Sequence, residues 1–268
     1  SVRTMMSYGL APDFLIVRAD ADIEEDMVVK IARSCGLPAE HVIAAPTLDT
    51  IYRVPVSFES QKMGEKLAKK LYLTPIAPDM ANWEKLLANI DASTEVLRIA
   101  MVGKYVGLED AYYSLNEGLR AAGFAFQKKV KLEFIEAEDI EKKGIEILSE
   151  FHGICIPGGF GTRGTEGMIM AAQYARENKI PYLGICLGSQ IMAIEFARNV
   201  LGIADASSEE FTPEGKNNII HIMEHQKELT TKGGNMRLGS YPCVIRPETL
   251  ASEVYATVIQ NGTVHERH

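Results

Sequence analysis

The run Pro181-Tyr182-Leu183-Gly184-Ile185-Cys186-Leu187-Gly188-Ser189-Gln190 decides how this chain is read. An apolar stretch ends at a cysteine that has glycine two residues before it and two residues after it. A helical pattern starts at once, through Ile191, Met192, Ile194, Phe196, Ala197 and Val200. This is the cysteine form of a nucleophile elbow, where a strand turns sharply into a helix and holds the reactive atom at the apex. Glycine is needed on both sides because the turn is strained and the backbones come close. The free N–H groups of the helix start favour a thiolate. Taken alone, such a cysteine could also be a small buried apolar residue.

A second motif points the same way. Gly153-Ile154-Cys155-Ile156-Pro157 reads as a short buried strand running into Gly158-Gly159-Phe160-Gly161. A glycine-rich turn at the end of a strand exposes backbone N–H groups, which are the usual donors of an oxyanion hole in acyl transfer. The two motifs fall in consecutive β-α units.

Working outward, strands are expected at Val96–Val102, Val130–Ile135, Gly153–Ile156 and Pro181–Ile185. Helices are expected between them at Asp110–Ala122, Glu138–Glu150 and Gly164–Asn178. This alternation predicts an α/β fold, a parallel sheet with helices on both faces. Both chemical motifs sit at the C-terminal ends of strands, where open α/β sheets hold their ligands. Upstream, a helix is expected at Ser1–Met6, strands at Asp13–Arg18 and His41–Ala44, and helices at Glu24–Ser34, capped by Gly36, and Ser57–Tyr72 after Pro55. Residues 1–73 therefore read as part of a larger domain. Residues 74–94 read as a linker, carrying two prolines and a short helix that Asp79 can cap, and residues 95–268 as the second domain. Beyond Phe211 the pattern is mixed. Possible strands are Ile219–Met223, Cys243–Arg246 and Tyr255–Ile259, with an exposed loop at Glu228–Gly234.

The 268 residues are 46% hydrophobic and 24% charged, enough apolar content for a packed core. A net charge of −8 argues against a binder of nucleic acid polymers. No apolar run reaches membrane-spanning length and no signal peptide is visible. Cys35, Cys155, Cys186 and Cys243 form no CxxC pair, which disfavours a zinc site or a disulfide framework and fits a cytoplasmic setting.

The elbow, together with Pro157-Gly158-Gly159-Phe160-Gly161, resembles the class I glutamine amidotransferases, whose flavodoxin-like domain releases ammonia from glutamine. Further stretches narrow the resemblance to the CTP synthase family. They are Met101-Val102-Gly103-Lys104-Tyr105, Asp110-Ala111-Tyr112, Arg163-Gly164-Thr165-Glu166-Gly167, Ala175-Arg176-Glu177-Asn178, Gly233–Gly239 and Val264–His268. Tyr8–Asp13 and Thr50-Ile51-Tyr52 resemble the last part of that family's P-loop-type α/β synthetase domain. The resemblance covers essentially the whole chain.

Residue by residue, the resemblance implies Cys186 as nucleophile, with oxyanion donors at Gly159 and the N–H of Leu187. Gln190 and Glu210 would grip the amino-acid end of glutamine. Arg163, Gly164, Glu166 and Arg237 would belong to a lid tied to activation by GTP. Lys30 would contact UTP or CTP, and Pro46, Thr47 and Leu48 would border ATP. Pro46 stands where many relatives carry a polar residue, Ser189 replaces a common methionine, and Asn235 a common threonine. The resemblance further implies ATP and Mg2+ bound mainly by parts of the family not matched here, and a homotetramer. It also implies that the glutaminase His and Glu lie beyond His268, since none of the six histidines forms a His-x-Glu pair. The chain is thus expected to be a fragment with little activity of its own. Two rivals remain open: a regulatory or scaffold chain, and an amidotransferase serving another synthase.

Overall fold

The computed structural model describes residues 2–104, 112–223, 226, 240–255 and 263–267. Within these, the chain gathers into two compact units, one built from Ser1–Val96 with Ser114–Val130, the other from Leu97–Tyr113 with Lys131–His268.

In the first unit, helix α1 (Val2–Ser7) precedes a two-stranded parallel sheet of β1 (Leu15–Ala19) and β2 (Val42–Pro46). Helix α2 (Glu25–Cys35) joins them and stops at Gly36. That residue takes φ 69°, so the chain can turn back while Leu37 N–H bonds the Ala32 carbonyl at 2.9 Å. The expected single helix over Ser57–Tyr72 is in fact two, α3 (Val54–Ser60), with Pro55 in its first turn, and α4 (Met63–Lys70). The break comes at Lys62, at φ 56°. Beside it, the Gln61 side chain both accepts from Ala44 N–H and donates to Ala44 C=O, each at 2.8 Å, pairing with β2 as a third strand would. Helix α5 (Ala81–Ala92) follows, its start bonded by Asp79, which accepts from Ala81 N–H at 3.0 Å. The Trp83 indole donates to the Tyr52 carbonyl at 2.6 Å, and the Tyr52 ring meets Phe124 edge-on. Phe124 belongs to helix α6 (Tyr113–Ala125).

Most of a four-stranded sheet belongs to the second unit: β3 (Glu95–Gly103), β4 (Lys128–Glu136), β5 (Gly153–Ile156) and β6 (Tyr182–Gly184), in the order β4-β3-β5-β6. β5 runs parallel to both its neighbours. Helices α8 (Thr165–Glu177) and α9 (Leu187–Asn199) pack side by side on β5 and β6, and α7 (Ala137–Lys143) packs against α8. The core runs through Val102, Ile140, Ile154, Ile156, Met168 and Ile191, all almost fully buried. The helix expected to reach Glu150 ends at Lys143, because Gly144 adopts φ 89° and ψ 174° and a 3-10 turn over Ile145–Leu148 takes over. Two small pairs complete the description. β7 (Ser207–Ser208) lies parallel to β8 (Asn218–Ile220), and β9 (Ser240–Val244) lies antiparallel to β10 (Thr263–Arg267). The strand expected over Ile219–Met223 is thus shorter and starts one residue earlier. β10 was not foreseen, and Tyr255 follows a short helix, α10 (Leu250–Val254). The expected loop Glu228–Gly234 and residues 256–259 lie outside the described residues.

Register places the chemistry. Ile156, the last residue of β5, stands opposite Gly184, the last of β6. The glycine turn and the cysteine turn therefore leave adjacent strands at the same level.

Candidate active site

Cys186 caps α9 with φ 53° and ψ −106°. A non-glycine residue in that region stores on the order of 1–3 kcal/mol and persists only when its surroundings over-determine it. They do so here. Ile185 N–H bonds the Ile156 carbonyl at 3.0 Å and so extends the ladder up to the cysteine. The Cys186 carbonyl accepts from Ser189 N–H at 3.1 Å and from Ser189 Oγ at 2.7 Å. The Tyr182 hydroxyl donates to the Gly188 carbonyl at 2.8 Å, and burial pushes its ionisation far up.

Both elbow glycines are steric necessities. A Cβ on Gly184 would lie 2.5 Å from the Gly188 carbonyl, and one on Gly188 would lie 2.1 Å from the Ile156 carbonyl oxygen. The result is an exposed thiol beside the first turn of a 13-residue helix, whose opening N–H groups have no partner within the helix.

The glycine turn lies beside this cysteine. A Cβ on Gly158 would be 3.9 Å from Cys186 Sγ, and one on Gly159 would be 3.3 Å from Leu187 Cδ2. Gly161 N–H donates to Glu210 Oε1 at 3.0 Å, and Glu210 N–H is held by Ser208 Oγ at 3.2 Å. Ser208 is buried, so the carboxylate comes to the turn from a fixed base on β7. Cys186, Gly159, Leu187 and Glu210 are thus brought together, with Gln190 half-buried one turn into α9.

The lid residues separate. Arg163 pairs with Glu138 at 2.9 Å and donates to the Lys104 carbonyl. Glu166 instead pairs with Arg198 at 2.8 Å, and the Arg198 Nε donates to the Ala206 carbonyl at 2.7 Å. Gly164, at φ 69°, caps α8, where a Cβ would sit 2.9 Å from Ala137 Cβ. Arg237 and Asn235 lie outside the described residues.

In the first unit, Lys30 is exposed and pairs with Asp26 at 2.8 Å. Pro46 ends β2, and Thr47 N–H bonds the Ala19 carbonyl at 2.8 Å, so Pro46, Thr47 and Leu48 leave the sheet together at a strand end.

Two side chains near the thiol were given no role from sequence. Lys104 is 4% exposed, its Nζ donates to the Phe160 carbonyl at 3.2 Å and to that of Gly161, and burial pushes its ionisation down against the opposing pull of Glu210. The signal was present, a lysine closing an apolar strand. Tyr182 is the other. Cys155 is buried in β5 with its thiol pushed up to about 11, whereas Cys35 is half-buried. His41 stacks on Phe14, His152 Nδ1 accepts from Arg98 N–H at 3.1 Å, and His221 lies 3.6 Å from Glu209. His225, His268 and the side chain of His265 lie outside the described residues. Among the described residues, no group of three or more His, Cys, Asp and Glu side chains could hold a metal ion. No described helix is long and apolar enough to cross a membrane.

A strained cysteine at a strand-to-helix apex, facing a glycine turn on the neighbouring parallel strand of an α/β sheet, is an arrangement that can carry acyl transfer to a thiol. Residues 108–267 match the family model described as Glutamine amidotransferase class-I, and the chain belongs to that family. Residues 1–73 match the model described as CTP synthase N-terminus. The whole chain is similar to CTP synthases. It is 46% identical over 269 residues to that of Dehalococcoides mccartyi strain CBDB1 and 44% identical over 268 residues to that of Pyrococcus furiosus, in each case covering 100% of this chain and 49% of the relative. The chain therefore spans about half the length of the curated relatives it matches. The fold is similar to the acivicin-bound glutaminase domain of Trypanosoma brucei CTPS, with a TM-score of 0.55 and 35% identity over 64% of this chain and 66% of that one.

Proposed function

We propose that this chain is the glutamine-hydrolysing part, with the end of the synthetase part, of an enzyme that converts UTP to CTP. The reading is carried by Cys186 in register beside the Gly158–Gly161 turn. The Cys186 thiolate attacks the side-chain amide carbon of glutamine and forms a C–S bond. The negative charge that develops on oxygen is met by the N–H groups of Gly159 and Leu187, which are fixed in place before the reaction. Collapse breaks the C–N bond and gives a glutamyl thioester and ammonia, which leaves with a proton from a general acid. Water then releases glutamate. Glu210 attracts the substrate α-ammonium, a charge-assisted contact, and Gln190 meets the same end of the molecule. Ammonia passes to the synthetase site, where ATP has phosphorylated the uracil 4-oxygen, and displaces phosphate.

Lys30 contacts the pyrimidine nucleotide, and Pro46, Thr47 and Leu48 border ATP. Arg163, Gly164, Glu166 and Arg237 answer to GTP. The complete enzyme is a cytoplasmic, magnesium-dependent homotetramer. Residues 1–268 alone turn glutamine over slowly, for want of a His-x-Glu pair to move the proton.

The test is Cys186→Ala in a protein of the relatives' full length that carries this segment. Glutamine-dependent CTP formation is expected to vanish while ammonia-dependent formation persists. Equal loss of both in a folded variant would refute the division of labour.

A further inference from the structure

Lys104 has no part in the acyl transfer just described, yet it holds the loop that performs it. It directly follows β3, with its side chain almost wholly inside the protein. Burying an ammonium costs several kcal/mol unless its donors are met, so a buried lysine on a strand end calls for a reason. Its Nζ donates to the carbonyls of Phe160 and Gly161 and stands 6.0 Å from the centre of the Phe211 ring. On the far side of the same turn, Gly161 N–H donates to Glu210. The Phe160 carbonyl and the Gly161 N–H are the two ends of one planar trans peptide and point in opposite directions. Lys104 and Glu210 therefore hold a single peptide plane from opposite sides, and both bonds are charge-assisted. Gly161 itself has φ 81°, so the turn could swing if this plane were released. Gly159, the expected oxyanion donor, lies just upstream, and a Cβ there would be 3.9 Å from Lys104 Cδ.

We propose that Lys104 is a positioning residue for acylation: with Glu210 it clamps the Phe160–Gly161 peptide and so aims the Gly159 N–H at the oxyanion formed beside Cys186. The proposal rests on the reading of Cys186 as the residue acylated by a glutamine side chain. A purely packing role would need only the aliphatic stem, which methionine reproduces. The clamp needs the donors.

The experiment is single-turnover acylation of the 268-residue chain by a γ-aryl ester of glutamate, followed by intact mass. The phenolate leaves with the electron pair of the broken C–O bond as the C–S bond forms, so no general acid is needed. Iodoacetamide alkylation of Cys186, which uses no oxyanion donor, is measured in parallel. Lys104→Met is expected to lower the maximal acylation rate on the order of tenfold to a hundredfold. Its half-saturating ester concentration should stay within about twofold, and alkylation should proceed at the parent rate. Lys104→Gln, which keeps an uncharged amide with two N–H donors, should fall between the two. Acylation of both variants at the parent rate would overturn the proposal. So would equal losses of acylation and alkylation, since the lysine would then serve packing alone. Absence of acylation in the unsubstituted chain would instead strike the reading of the site itself.

Discussion

Gly188→Ala puts the elbow under the most direct strain. The added Cβ would meet the Ile156 carbonyl oxygen at 2.1 Å, its carbon at 2.9 Å and Ile156 Cβ at 3.1 Å. Real Cβ contacts essentially never fall below 3.0 Å, so α9 and β5 must part by about 0.9 Å. The offending atoms are backbone and a branch point, and no rotamer change relieves them. The Ile156 carbonyl also accepts the Ile185 N–H that anchors the elbow, so that bond lengthens as the helix moves. Overpacking of this kind costs roughly 1–3 kcal/mol, and a weakened hydrogen bond about 1 more. The expected loss is therefore about 2–4 kcal/mol.

The functional cost is steeper, because a displacement near 1 Å between Cys186 and its oxyanion donors slows acylation on the order of a hundredfold. Gly202→Ala is the control. Gly202 carries a positive φ, 75°, but a Cβ there meets nothing within 4 Å. It should cost about 1 kcal/mol of backbone strain and leave Cys186 at the parent rate. Denaturant unfolding followed by circular dichroism, with single-turnover acylation of each variant, decides the matter. If Gly188→Ala were as stable and as reactive as Gly202→Ala, the steric account of the elbow would be wrong.

Other outcomes follow from the same structure. Cys186 should take up a glutamine-like electrophile ahead of the other cysteines when adducts are mapped by mass spectrometry, and preferential modification of Cys35, Cys155 or Cys243 would defeat its assignment. The Cys155 thiol is held above its unfolded value of 9.0, at about 11, by burial. From about pH 9 to 11 the unfolded chain loses this proton and the folded chain keeps it, so stability should fall by roughly 2–3 kcal/mol across that window. Cys155→Ala should flatten that slope in urea titrations at each pH, whatever its own cost near neutrality. Arg176→Ala leaves Glu195, only 2% exposed, without the guanidinium that now bonds both its oxygens at 3.0 and 3.1 Å. Losing that partner should lower stability, though less than losing the partner of a fully enclosed pair would, because Arg176 is partly in water. Glu195→Gln in that background should recover part of the loss by removing the buried charge, and no recovery would show that the carboxylate was not the cause.

Local sequence was enough for the alternating strands and helices around Cys186, for the C-cap at Gly36 and for the elbow itself. Each of these is set by residues within a few positions: an apolar run too short for anything but a buried strand, a glycine where φ must be positive, a helical period that begins at once. It could not show that Ser57–Tyr72 breaks at Lys62, because the cause is a Gln61 amide pairing with Ala44, a residue on a strand formed earlier in the chain. Nor could the Glu138–Glu150 helix be seen to stop at Lys143, where the positive φ of Gly144 overrides a continuous helical pattern. β7 and β10 were not recoverable either, and β8 only in part: β7 has two residues and β10 pairs with β9, about twenty residues upstream, so each is set by its partner rather than by its own period. The site divides in the same way. The elbow at Cys186 and the Gly158–Gly161 turn were legible because glycine spacing is a local steric signature. The hold of Lys104 and Glu210 on one peptide plane was not, because it joins β3, the glycine turn and the segment after β7. Only the closing of the sheet brings these three together, and only then does a buried charge find the carbonyls that make its burial possible.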